Sequence, residues 1–167
     1  MLSATVTQMI MNHYESALAV MPQLAGFIPM LMGTGGNCGS QSSTLMIRGL
    51  AVGEIEFGDL FKVIFKEVRV AVLISLILST VNGIRILIMG QGDILVALTI
   101  GMTMACTIIL AKIVGCTLPL VAKKVGLDPA IMATPLISTL VDISTVTVYL
   151  LLSALCLKYS CQTAAKG

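Results

Sequence analysis

Two groups of polar residues stand out in an otherwise apolar chain. The first begins at Pro29-Met-Leu-Met-Gly-Thr-Gly-Gly-Asn-Cys-Gly-Ser-Gln-Ser-Ser-Thr44 and continues to Glu54. Gly33, Gly35, Gly36 and Gly39 crowd into seven residues, and Asn37, Gln41, Thr44 and Arg48 follow at i, i+4, i+7 and i+11. The polar spacing is one face of a helix. Glycine at this density propagates a helix poorly, so an interrupted backbone is expected over the cluster, its carbonyl oxygens open to a cation. Non-helical backbone at membrane depth is tolerated only where protein buries it or it lines a wet cavity. Small residues also allow close helix packing, which alone would account for the glycines. Taken with Asn37, Gln41 and the hydroxyl cluster, they point to the lining of an ion pathway. A phosphate loop is excluded, since neither GxGxxG nor GxxxxGK[ST] is satisfied.

The second group centres on Asp142, midway along the apolar run Pro129 to Leu157, with Ser138, Thr145 and Pro135 on the same helical face. A carboxylate near a bilayer centre costs at least about 2.5 kcal/mol on insertion scales, so it needs a partner, a proton or water. A protonated or paired structural acid is the plain alternative to a water-filled cation site. Carboxylate, amide, hydroxyl and carbonyl oxygens are hard donors suited to Mg2+, Ca2+ or Mn2+. One central carboxylate per chain is too few for an all-protein Ca2+ cage, but suits Mg2+, which keeps its water shell.

The remaining charges have milder readings. Glu67 either lines a pore mouth or pairs with Lys62, Lys66 or Arg48. Glu54, Glu56 and Asp59 make an acidic loop, solvated or gathering divalent cations at a mouth. Asp128-Pro129 has the form of a helix start, as does Asp93 for the preceding segment. Lys112 is expected to snorkel toward the inner interface. Cys38, Cys106, Cys116, Cys156 and Cys161 are scattered without a CxxC and read as small apolar residues.

These groups need elements to hold them, and composition names the solvent of those elements. Of 167 residues 57% are apolar and 11% charged, with a mean hydropathy of +1.02; soluble domains carry about 25% charge. The fold class expected is an all-α polytopic membrane protein of five transmembrane helices, in a lipid bilayer. The spans are a short or truncated first helix (Leu2 to Asn12), Ala17 to beyond Gly33, Val63 to Met89, Ile94 to Val121, and Pro129 to Leu157. Connections fall at Gly49–Phe61, Gly90–Asp93 and Ala122–Asp128. One side collects Arg48, Lys62, Lys66, Arg69, Lys112, Lys123 and Lys124, the other only Arg85, Lys158 and Lys166. This seven-to-three bias puts the Gly49–Phe61 and Ala122–Asp128 loops in the cytoplasm and the C-terminus outside. Met1 to Asn12 has no basic region or cleavage site, so no signal peptide is read. With no basic face interleaved with aromatics, nucleic acid is not a partner. No internal repeat is visible, so a central pore needs an axis between chains, most simply in a homodimer.

The run Leu31 to Thr44, with Arg48-Gly-Leu-Ala51 and Gly53-Glu-Ile55, resembles the signature of the MgtE family of magnesium transporters. Gly126-Leu-Asp-Pro-Ala130, Pro135-Leu136, Thr139 and Asp142 resemble that family's last-helix motif. The resemblance covers essentially the whole chain. It implies a homodimeric, channel-like Mg2+ pore in the inner (plasma) membrane, built from the second and fifth helices. Asp142 would hold hydrated Mg2+, with Asn37 and Ser138 nearby. The polar and glycine patterns themselves add Gly33, Gly36, Gln41 and Thr145 as candidates to line the path, and Glu67 and Glu54 as candidates for its mouth. Family members commonly have alanine at the position of Ser138. They usually also carry a cytoplasmic N-terminal domain and paired CBS domains that sense Mg2+; residues 1–167 are expected to be the single transmembrane pore domain without them.

Three other functions compete with a passive ion pathway. A cation-coupled exchanger of Mg2+ or another divalent ion needs more titratable groups along the path than Asp142. An intramembrane enzyme needs a paired aspartate, a Ser/His pair or a three-ligand metal, and none is assembled, so the protein is not read as an enzyme. A purely structural membrane subunit would not need Asp142.

Overall fold

The computed structural model describes residues 2–13, 25–90 and 94–164, and these are helical almost throughout. The elements are α1 (Leu2–His13), α2 (Ile28–Val52), a 3-10 turn (Phe57–Asp59), α3 (Leu60–Ile88), α4 (Ile94–Lys124) and α5 (Pro129–Ala164). Among the described residues, three stretches are long and apolar enough to cross a membrane: Leu60–Ile88, Ile94–Lys124 and Leu136–Cys156. Five spans were expected. The 12 residues of α1 reach only about 18 Å, and α2 reaches about 37 Å but is too rich in glycine and polar groups to match them. The start of the expected second span, and Asp93, lie outside the described residues.

The interrupted backbone expected over residues 33–39 is not found, because α2 runs as one helix from Ile28 to Val52. The reason lies in the medium and in packing. Glycine costs about 1 kcal/mol relative to alanine inside a helix, whereas each unpaired backbone group in hydrocarbon costs several. Two of the glycines also allow close contact. A methyl added at Gly35 would lie 2.7 Å from Thr107 Cγ2 and 2.9 Å from Val141 Cγ1, and one at Gly39 would lie 2.9 Å from Ile137 Cγ2. Across the crossing, a methyl on Gly115 of α4 would collide with the carbonyl of Gly39.

α4 is the central element, packing against α2, α3 and α5, while α5 also meets α2 and α1. Leu31, Ile100, Met104, Ile108, Ala111, Ile137, Val141 and Val146 form the main core. Met46, Leu50, Cys116 and Leu120 form a smaller one near the C-terminal ends of α2 and α4. Of the outer surface, α3 leaves Phe65, Leu73, Leu76, Ile77, Val81 and Ile84 exposed, a lipid-facing stripe too large for a water-facing helix.

The turns close where the backbone can be capped. Gly126 (φ 80°) ends α4 with Gly126 N–H donating to Lys123 O (3.2 Å) and Leu127 N–H to Ala122 O (2.9 Å), a Schellman cap that favours glycine. Two residues on, Asp128 Oδ1 accepts from Ala130 N–H at 2.9 Å and Pro129 opens α5, the helix start expected from the sequence. α2 continues to Val52, four residues into the expected connection, because its turn is made at Gly53 (φ 77°). Lys123 Nζ donates to Leu50 O at 3.2 Å and ties the C-terminal ends of α2 and α4 together.

The glycine contacts yield a stability test. Gly115→Ala should cost about 1–3 kcal/mol by overpacking and lower the unfolding midpoint in detergent. Gly36→Ala, where an added methyl meets nothing within 4 Å, should leave that midpoint unchanged or raise it.

Candidate functional site

The polar residues of α2 sort cleanly around its axis. At roughly 100° per residue, Gly33, Gly36, Asn37, Ser40, Gln41, Thr44 and Arg48 fall on one half. Gly35, Cys38, Gly39, Ser42, Ser43 and Met46 fall on the other and are buried. The two glycine pairs therefore do different work. Gly35 and Gly39 allow packing, whereas Gly33 and Gly36 have nothing within 4 Å of an added methyl and open outward.

Against this open half lies the face of α5 that carries Ser138 and Asp142. Pro29, Met32, Gly33, Gly36, Asn37, Ser40, Ser138 and Asp142 together line an open groove of about 530 Å³. Asn37 lies about 22 Å from the C-terminal end of α2, and Asp142 about 20 Å from the N-terminal end of α5, so the amide and carboxylate sit at one level of the bundle. Neither of the two ion pairs among the described residues involves Asp142. Nor do three or more His, Cys, Asp or Glu residues gather among the described residues to cage a metal. The groove can thus offer a cation one carboxylate per chain, an amide and two hydroxyls.

The other residues singled out in the sequence lie elsewhere. Gln41 is exposed on the same half of α2, one turn toward its C-terminal end, and Glu54 is exposed in the loop. Thr145 is buried, lining a small gap between α4 and α5 with Thr107 and Val141. Glu67 is also buried and lies outside the groove.

Glu67 belongs to a charge cluster whose membership was not foreseen. Lys112 Nζ lies 2.8 Å from Glu67 Oε2 and donates to Ser42 Oγ at 3.1 Å, while Ser42 Oγ donates to the same Glu67 oxygen at 2.7 Å. The expectation that Lys112 snorkels is corrected here. It is 3% exposed and stays inside, because an acid on α3 and a hydroxyl on α2 satisfy it at closer range than water. The partners expected for Glu67 are also replaced: Lys62 meets Asp59 instead, at 3.0 Å, and Lys66 and Arg48 are exposed. The signal in the sequence was Lys112 itself, a lone lysine deep in an apolar segment that needs a buried acid, although residue order does not say which one.

The sequence profile of the MgtE family, described as a divalent cation transporter, matches residues 28–152. The chain is 35% identical to the magnesium transporter MgtE of Thermus thermophilus over 94% of its own length and 34% of that protein. It is 34% identical to that of Bacillus subtilis over 84% of its length and 31% of that protein. It is 32% identical to that of Enterococcus faecalis over 92% and 34%, respectively. The chain therefore spans about a third of the length of these curated relatives.

The wetness of the groove can be checked directly. Ser40→Cys should gain one label from a charged, membrane-impermeant thiol reagent, and Leu31→Cys, fully buried, none, as counted by intact mass.

Proposed function

The chain belongs to the MgtE family of divalent cation transporters, and on that premise we propose that it carries Mg2+ along the groove between α2 and α5. The pathway is a channel-like pore at the two-fold interface of a homodimer, where each copy's groove faces the other's and two Asp142 carboxylates supply two negative charges. One observation carries this reading: Asp142, unpaired by any described cation, shares an open groove and a membrane depth with Asn37.

The chemistry follows from the donors. Mg2+ sheds water reluctantly, so a site with one carboxylate per chain holds the hydrated ion through its water shell. Asp142 supplies the charge, and Asn37, Ser40 and Ser138 supply hydrogen-bonding partners for the water. Gly33 and Gly36 keep the wall thin enough for the hydrated ion, and Gln41 continues the polar wall inward toward Glu54 at the cytoplasmic mouth. Thr145 backs the wall from inside the protomer. The chain lies in the inner (plasma) membrane, and the lysine and arginine bias of its loops supports a C-terminus on the outside. Transporting an ion requires no bond breaking, and no enzymatic activity is proposed.

Uptake in a magnesium-auxotrophic cell tests the assignment. Asp142→Ala should lower Mg2+ uptake at least about tenfold, the scale of a lost charge contact, while the dimer survives gel filtration in detergent. Normal growth of the mutant at low Mg2+ sinks the central-site assignment. A cation-coupled exchanger is the second reading, separated by current recordings: an electrogenic Mg2+ current that persists without proton or sodium gradients excludes it.

A further inference from the structure

The cluster Ser42–Glu67–Lys112 lies behind the wall of the groove. Ser42 is five residues from Asn37, hence roughly 140° around α2 and about 7.5 Å along it. Ser42 Oγ touches both Lys112 Nζ and Glu67 Oε2. The lysine ammonium therefore stands about one helix diameter, roughly 10 Å, from the groove. It also sits about 18 Å above the inner end of α4, in the low-dielectric part of the membrane. Lys112 and Glu67 are 3% and 8% exposed, so water screens neither of them well.

From this geometry we infer that Glu67 is a built-in counter-charge, hiding the Lys112 cation from the ion pathway and so setting how strongly the groove holds a divalent cation. At about 12 Å and an effective dielectric near 20, an unbalanced ammonium would repel a doubly charged ion enough to weaken its binding about tenfold or more. An unbalanced Glu67 carboxylate would attract it by a similar factor. With both present and 2.8 Å apart, the fields cancel at the groove to leave a weak dipole. Ser42 fixes the pair against α2, the helix that carries the groove wall. Glu67 and Lys112 are thus positioning residues for the electrostatic field, and neither touches the ion.

The inference rests on the groove being the cation path, and it makes a prediction that a purely structural ion pair does not. Mg2+ binding to the purified dimer in detergent, followed by calorimetry, should weaken about tenfold or more in Glu67→Gln. It should strengthen in Lys112→Gln, and return to within about threefold of the parent in the double variant. A structural clamp moves both single variants the same way, toward weaker binding, and that result overturns the inference. If Glu67→Gln does not fold, Lys112→Gln still decides: tighter binding supports the inference and weaker or equal binding refutes it. Asp142→Ala runs alongside as a control. Lost binding there with same-direction shifts removes the counter-charge idea alone. Retained binding there with opposite shifts removes Asp142 as the ion holder and keeps the counter-charge.

Discussion

Where α2 crosses α4, the backbones of Gly39 and Gly115 approach so closely that no side chain fits between them. That contact sets the spacing of the whole bundle, because α4 is the element every other long helix leans on. It brings Ser42 of α2 within hydrogen-bond reach of Lys112, three residues before Gly115. With Gly35 and Gly39 against Val141 and Ile137 of α5, it also sets the register that brings Asn37 and Asp142 to one groove. Side chains at these glycines would push the helices apart, and both polar sites would lose their geometry together.

The two acids of the helical interior show how environment separates roles. Glu67 faces a lysine and a serine on neighbouring helices, and its charge is consumed inside the protomer. Asp142 faces open space and glycines, so no described cation balances its charge. An ionised acid at membrane depth requires a partner or water. The fold supplies a partner to one and access to the other.

Hydroxyl groups are handled more locally. Thr34, Thr44, Thr80, Thr99, Thr103, Thr117, Ser144 and Thr147 each donate back to a carbonyl four residues earlier. Such bonds let polar residues sit in a membrane helix at little cost. Within the hydroxyl-rich stretch 40–44 only Thr44 bonds in this way, whereas Ser42 donates across to Glu67.

Much was legible from residue order alone. Composition identified the bilayer as solvent, apolar runs located α3, α4 and α5, and Asp128-Pro129 marked a helix start that the Ala130–Asp128 bond bears out. The helical spacing of Asn37, Gln41, Thr44 and Arg48 correctly placed them on one half of α2. Glycine density misled, since propensity is a local quantity and the path of α2 is decided by lipid and packing. Which glycines pack and which open outward depends on the crossing with α4. The partner of Lys112 was equally hidden, because Glu67 lies 45 residues away and only the arrangement of α3 beside α4 brings them together. The sequence by itself thus determined the medium, the helices and the polar faces, all set by local periodicity and transfer free energy. Only the tertiary structure decided which charges meet and which stay open, because those contacts are made between helices and no single segment encodes them.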